Sequence, residues 1–237
     1  MKIYVSGSLV SFPEWIAVDS FVGGFKTDSE ELNDRDGELY ISERLKAKQF
    51  ECSGIIQNSD VDKEVSRITN LIAGKELTVY RDDDSEIFYR CRLINDVKVY
   101  YYRGVKIKNA FKIGFSLKCY DGYGESAEVV QTLSSGSNTV PNIGNLNVTP
   151  QFTIAGAKTV SGTVFSVGKT SIKVTESIEI PSGQNLVIND IGMWLHGVDI
   201  TDKLDDTTLI TPLSLAPGSN TLTAAVIASV SFYPRYK

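Results

Sequence analysis

The chain has 237 residues, 42% apolar and 22% charged, with a formal net charge of −5 and a single histidine. That balance is globular and not disordered. It contains no run of the roughly 18 apolar residues a membrane span needs, and no basic field for nucleic-acid phosphates. The opening residues, Met1 to Ser8, carry a lysine but no sustained apolar stretch, so no secretory leader is expected.

Charge is spread unevenly. Residues 1–140 hold 18 Lys+Arg and 22 Asp+Glu, whereas residues 141–237 hold 6 and 7. Such a shift indicates two domains with different surfaces. The stretch from Gln131 to Asn142 is rich in Ser, Gly and Asn and ends at Pro141-Asn142, the composition of a connection. The expected division is an N-terminal domain over 1–135, a linker over 136–147 and a C-terminal domain over 148–237.

In chain order, the first signal is Asp34-Arg35-Asp36-Gly37-Glu38, whose Asp-Gly pair marks a turn before the extended Leu39-Tyr40-Ile41. Lys48–Ile56 alternates as a strand. Val61, Val65, Ile68 and Ile72, widened by Leu71, then fall on one helical stripe. Ser59 with Asp62 resembles a capping box and Gly74 a C-terminal stop. A single stripe suits packing on a sheet better than capture of a partner helix. Strands are expected again over Glu76–Tyr80, Ile87–Leu93 and Lys112–Cys119. Between the first two, Asp82-Asp83-Asp84 reads as a hairpin tip. Either acidic cluster could attract Ca²⁺, but neither has EF-hand spacing. Tyr100-Tyr101-Tyr102 cannot all face one side of a strand. At least one points outward, to an interface or to cross-strand aromatic pairs.

From residue 148 on, short apolar runs recur: Phe152–Ile154, Val164–Val167, Ser171–Val174, Asn185–Ile188, Thr221–Ala225 and Ser229–Tyr233. Turns fall at Gly156, Gly168, Pro181–Gln184 and Pro217–Asn220. Short strands with regular turns suit an all-β sandwich or jelly roll. Trp194, flanked by Met193 and Leu195, belongs in a core or on a sheet face; exposed, it is a candidate glycan contact.

Cys52, Cys91 and Cys119 have no knuckle spacing, and their odd number excludes a fully paired framework. Each sits in an apolar or alternating run, as a small buried hydrophobe would, consistent with assembly in a reducing cytoplasm. His196 has no serine or aspartate partner in a recognisable order. There is no GxSxG, HExxH, P-loop or GxGxxG. No catalytic residue, cofactor or metal site is expected.

The order of these pieces resembles the distal tail protein family of long-tailed bacteriophages. The resemblance rests on Asp34–Leu39, the strand Lys48–Ile56, the single helix, Leu77–Tyr80, the acidic tip Asp82–Asp84 and Tyr89–Leu93. Phe115–Asp121 is similar to the family's F-x-x-x-C-x-D strand end, with Gly122 in place of the usual proline. Near the C-terminus, Pro217-Gly218-Ser219-Asn220-Thr221-Leu222 resembles a PGxNxL turn, and Val230–Tyr236 the closing strand. Trp194–Asp199 occupies the place of the hairpin that follows Asn185–Asn189.

The resemblance implies a mainly β chain: an N-terminal β-sandwich or barrel-like domain with one α-helix, and a C-terminal galectin-like sandwich. It implies a virion structural protein assembled in the host cytoplasm. Its subunits would form a hexameric ring at the tail tip that joins the tail tube protein to the baseplate hub or tail-associated protein. The C-terminal domain would carry a receptor-binding protein or meet a host glycan. Ring contacts would then lie in residues 1–130, with Asp36, Gly37, Asp82, Asp83, Asp84, Tyr100, Tyr101 and Tyr102 as candidates. Sequence-specific nucleic-acid binding is not expected. The alternative is a carbohydrate-binding module or an adhesin, with Trp194 at the sugar.

Overall fold

In the computed structural model, residues 2–10, 16–22, 25–31, 38–57, 60–80, 86–100 and 110–237 are described. The chain is mainly β and divides into two units, Met1–Glu125 and Ser126–Tyr236.

Antiparallel pairing builds the first unit. Ser8–Leu9, Lys2–Val5, Leu77–Tyr80, Phe88–Leu93, Ala110–Cys119, Lys48–Gln57 and Ile16–Val22 lie side by side in that order. Lys98–Tyr100 also pairs with Ala110–Cys119, and Phe25–Glu31 forms a ribbon with Glu38–Leu45. Alternation places Phe50, Cys52, Val79, Cys91, Ile113, Phe115, Leu117 and Cys119 in one core. Phe50 meets Tyr89 edge-on with ring centroids 5.1 Å apart, and the buried Lys48 rests its ammonium 5.0 Å above the Tyr89 ring.

The expected helix is present as Val61–Ile72. Ile68 and Ile72 enter the core, with Val61, Val65 and Leu71 packed at its margin. Its cap is Asp60, whose carboxylate accepts from Lys63 N at 3.0 Å; Ser59 lies outside the described residues. A cap of this kind stabilises a helix by about 1 kcal/mol. Glu64 also falls on the buried side, a position the periodicity assigned to no residue. Its charge is matched by Arg67, with Nη2 2.6 Å from Oε1.

Two sheets form the second unit. One runs Val129–Leu133, Ala228–Phe232, Gln151–Ala155, Asn185–Ile188, Met193–Leu195, Val198–Asp199; the other runs Gly136–Asn142, Gly218–Ala224, Lys158–Val167, Thr170–Ile180. Their inward residues make one core, centred on Phe152 from the first sheet stacked on Phe165 from the second. Two bulges bend Lys158–Val167, and the first includes Gly162 at φ +62°, a conformation that side chains resist. The short helix Asp206–Ile210 and the turn before it cover part of the outer strand Thr170–Ile180. Asp205 N donates to Lys173 O, and Lys173 N donates to the Thr208 hydroxyl. Covering an edge in this way removes backbone groups that another strand could pair with.

The division differs from the expected one. It falls at Glu125/Ser126, not at residue 135, and Gly136–Asn142 within the expected linker is a strand paired with Gly218–Ala224. Ser137, Thr139 and Pro141 are its exposed residues. Val140 and Asn142 point inward, and Asn138 folds back to bond Ser134 through both ends of its carboxamide. Composition alone does not separate an exposed strand face from a linker, because both are polar.

Candidate functional site

The outward face of the strand Ala110–Cys119 carries the polar half of its alternation: Lys112, Gly114 and Ser116. On one side Ser116 lies opposite Glu51 and Gly114 opposite Ser53. On the other side the ladder is interrupted. Phe88–Leu93 pairs at Leu117 and Lys118, and Lys98–Tyr100 pairs at Lys112 to Gly114. Asn95 fills the gap between them. Its carboxamide accepts from Ser116 N and donates to Ser116 Oγ, both at 2.8 Å, while Ile94 N donates to Ser116 O. A side-chain amide thus replaces a missing stretch of backbone ladder.

Ser116 Oγ in turn donates to Glu51 Oε2 at 2.7 Å, and Glu51 accepts from Gln49. Ser116 is only 3% exposed. Its hydroxyl is committed to a structural chain of bonds and is not presented as a nucleophile.

Around this polar spine is an open groove of about 320 Å³, lined by Glu51, Asn95, Lys98, Tyr100, Lys112 and Gly114. Tyr100 forms one wall. Its ring sits over Gly114, where an added Cβ would come within 3.1 Å of Cε2. Yet the residue is 51% exposed. Two ammonium groups, one carboxylate and a half-exposed phenol line the groove. Tyrosine offers large contact area with little entropy to lose.

Of the interface candidates, only Tyr100 lies among the described residues; Asp36, Gly37, Asp82, Asp83, Asp84, Tyr101 and Tyr102 lie outside them. Sequence reading passed over Glu51, Asn95, Lys98, Lys112 and Ser116. The available signal was small: Gly114 and Ser116 alternate with Ile113, Phe115 and Leu117, so one face of a core strand is unusually low. Among the described residues, no group of three His, Cys, Asp or Glu side chains gathers as a metal site, and no helix is long and apolar enough to cross a membrane.

In the second unit Trp194 lies on the outer hairpin Met193–Leu195/Val198–Asp199. Met193 is buried and Trp194 half-buried, on opposite sides of the strand. The indole packs over Gly192, 3.1 Å from where a Cβ would sit. The turn is His196-Gly197, both at positive φ, as a two-residue hairpin of this hand requires. Beyond it, the Asp199 carboxylate accepts from Thr201 Oγ1 at 2.6 Å and Thr201 N at 2.9 Å. Asp205 accepts likewise from Thr207 through its hydroxyl and its backbone N–H.

These bonds favour the charged form, the hydroxyl contact most, and hold both aspartates below their ordinary range. A carboxylate whose folded pKa is depressed stabilises the fold above its unfolded value and ceases to do so as pH falls through the folded one. Carboxyl-carbon NMR titration is expected to place both midpoints below 3.8. Thr201→Val and Thr207→Val should each return the midpoint of the adjacent aspartate towards that value.

Among the described residues, the chain is a two-unit β protein with one helix in its first unit. No family model matches the chain, and no curated protein matches it in sequence. Among solved structures it is similar to the phage SPP1 Dit protein (gp 19.1), described as a paradigm of the hub adsorption apparatus in phages that infect Gram-positive hosts. The TM-score is 0.71 at 16% identity, covering 100% of this chain and 99% of that one. The phage p2 baseplate in its activated conformation with Sr gives 0.49 at 8% identity, covering 100% of this chain and 97% of that one. The same baseplate with Ca gives 0.46 at 7% identity, covering 94% and 90%. The first of these likenesses shows a shared fold from end to end.

Proposed function

We propose that the chain is a structural subunit of a phage tail tip or baseplate, a distal tail protein of the kind its sequence resembles. The observation that carries this reading is the span of the SPP1 Dit likeness: both units match in one chain, over 100% of its length. A shared sandwich alone would be weak support, because such folds serve many functions. Agreement of both units in one order is more restrictive, and it coincides with the motifs from Asp34 to Tyr236.

On this reading the subunits close into a ring, expected to hold six copies. The ring joins the tail tube protein to the hub, and the second unit carries receptor-binding parts. Assembly takes place in the host cytoplasm and the product resides in the virion. The groove beside Tyr100 serves the ring contact. Closed rings use a heterologous interface, in which a groove on one copy receives a different surface of the next.

Light scattering across a concentration series, with negative-stain images of the same sample, tests this. A species near six subunits with a central hole is expected. Tyr100→Ala should raise the concentration at half-assembly by roughly tenfold or more, the effect of removing an aromatic anchor worth about 1.4–2 kcal/mol. A strict monomer at every concentration, with tail tube protein present, overturns the ring. Glycan-array binding lost in Trp194→Ala would then favour the carbohydrate-binding alternative.

A further inference from the structure

The strands Phe88–Leu93 and Ala110–Cys119 are antiparallel, with Leu117 opposite Leu93 and Lys118 opposite Arg92. One further step along each strand brings Cys119 opposite Cys91. Directly opposed residues have Cα atoms roughly 4.5–5.5 Å apart. A disulfide spans about 4.4–6.8 Å between Cα atoms, so this register suits one. Both side chains face the core, 1% and 0% exposed, and each thiol is the largest influence on the other's ionisation. Cys52 stands apart. Its register partner is Phe115, its thiol donates to Phe50 O, and Cys119 lies opposite Lys48.

The two thiols are also unequal. The hydrogen bond from Cys91 draws Cys119 down to about 7; burial opposes this, and backbone N–H groups of Gly122 and Asp121 assist it. Cys91 is pushed up, chiefly by Cys119 and then by burial. When protonated, Cys119 donates to Tyr123 O at 3.4 Å. The surrounding charged groups are Asp121 beyond Cys119, Lys48 opposite it, Arg90 and Arg92 beside Cys91, and Glu76. Cys91 lines an open groove of about 400 Å³ together with Glu76, Arg90, Arg92, Tyr120 and Asp121. Cys119 does not line that groove and both thiols face the core, so only an oxidant small enough to permeate the packing reaches the pair.

We propose that Cys91 and Cys119 form a dithiol site for two-electron oxidation by a small hydroperoxide, closing a cross-strand disulfide in the first unit. The Cys119 thiolate attacks one peroxide oxygen. The O–O bond breaks, hydroxide leaves, and Cys119 becomes a sulfenic acid. The Cys91 sulfur then attacks the Cys119 sulfur. The S–O bond breaks and water leaves with the Cys91 proton. Two thiols have lost two electrons and two protons, and hydrogen peroxide has been reduced to two waters. The site depends on neither the ring nor the phage reading.

The test treats the full chain with hydrogen peroxide and follows intact mass and peptide maps. A loss of two hydrogens, about 2 Da, is expected. One cross-linked peptide pair should join Cys91 to Cys119, Cys52 should remain free to alkylate, and dithiothreitol should reverse the change. Between pH 6 and pH 8 the rate should rise about tenfold, because the thiolate is the reactive form and titrates near 7. C52S should leave the cross-link unchanged. In C91S a dimedone adduct should accumulate on Cys119; should that variant fail to fold, the unmodified chain's peptide map decides alone. A linkage through Cys52, sulfinic or sulfonic acid on Cys119 without a cross-link, or no reaction overturns the proposal.

Discussion

Phe152→Ala is expected to destabilise the second unit by about 3–5 kcal/mol, the range for removing a buried aromatic from a core. Phe152 is fully buried, and its ring lies 4.0 Å from that of Phe165 at an interplanar angle of 14°. The two belong to different sheets, so the pair is a central contact between them. Truncation removes both the transfer free energy and the stacking, and leaves a void that paired strands on either side cannot easily collapse into. Native-state hydrogen exchange provides the measurement. Amides of Gln151–Ala155 and Asn185–Ile188 should exchange roughly a hundred- to several-thousand-fold faster, since each 1.4 kcal/mol is about tenfold. Protection of Lys48–Gln57 in the first unit should change far less. Equal loss in both units would contradict the separation of the cores.

Asn220→Ala should cost the same unit about 2–3 kcal/mol. One carboxamide organises the turn from Ala216 into the strand Gly218–Ala224. Its oxygen accepts from Ala216 N at 2.9 Å, while its nitrogen donates to Ala216 O at 2.8 Å and Gly218 O at 3.1 Å. The residue is 7% exposed, so water replaces these bonds poorly. Aspartate in its place keeps the acceptor, loses every donation and sets a buried carboxylate against the carbonyl oxygens of Ala216, Gly218 and Val140, so Asn220→Asp should cost at least as much as alanine. Urea denaturation of the three proteins orders them, and an alanine variant within about 0.5 kcal/mol of the native chain would show that the turn is held by its backbone alone. The same chemistry accounts for the asparagine of the PGxNxL-like turn: no other side chain both accepts and doubly donates at that length.

The helix is the most directly legible element. Val61, Val65, Ile68 and Ile72 mark its inner side, and it runs from Val61 to Ile72. Asn185–Ile188 is likewise the strand that its apolar alternation outlines. Both cases rest on local periodicity, which a single segment displays in full. Polar segments were harder to read. Gly136–Asn142 has the composition of a connection and the pairing of a strand, because only Val140 and Asn142 face inward. Glu64 carries no apolar signal, yet a cation one turn along makes its burial tolerable.

The candidate site was legible only at Tyr100. The groove depends on Asn95 bonding Ser116 across 21 positions and on Ser116 bonding Glu51 across 65. The cysteines show the same limit. Their alternation with core residues identified each as buried, but Cys91 could meet Cys119 only once the strand register was set.

By itself, the amino-acid order marked several of the strands, the helix Val61–Ile72, and the dominance of β structure in both halves. These follow from side-chain period and turn chemistry, which act over a few residues. Tertiary structure alone decided that the division falls at Glu125/Ser126, that Asn95 completes a broken ladder, and that two of three cysteines stand opposite each other. The reason is physical: period specifies which face of a strand is buried, whereas pairing partner and register are chosen by the packing of the whole sheet.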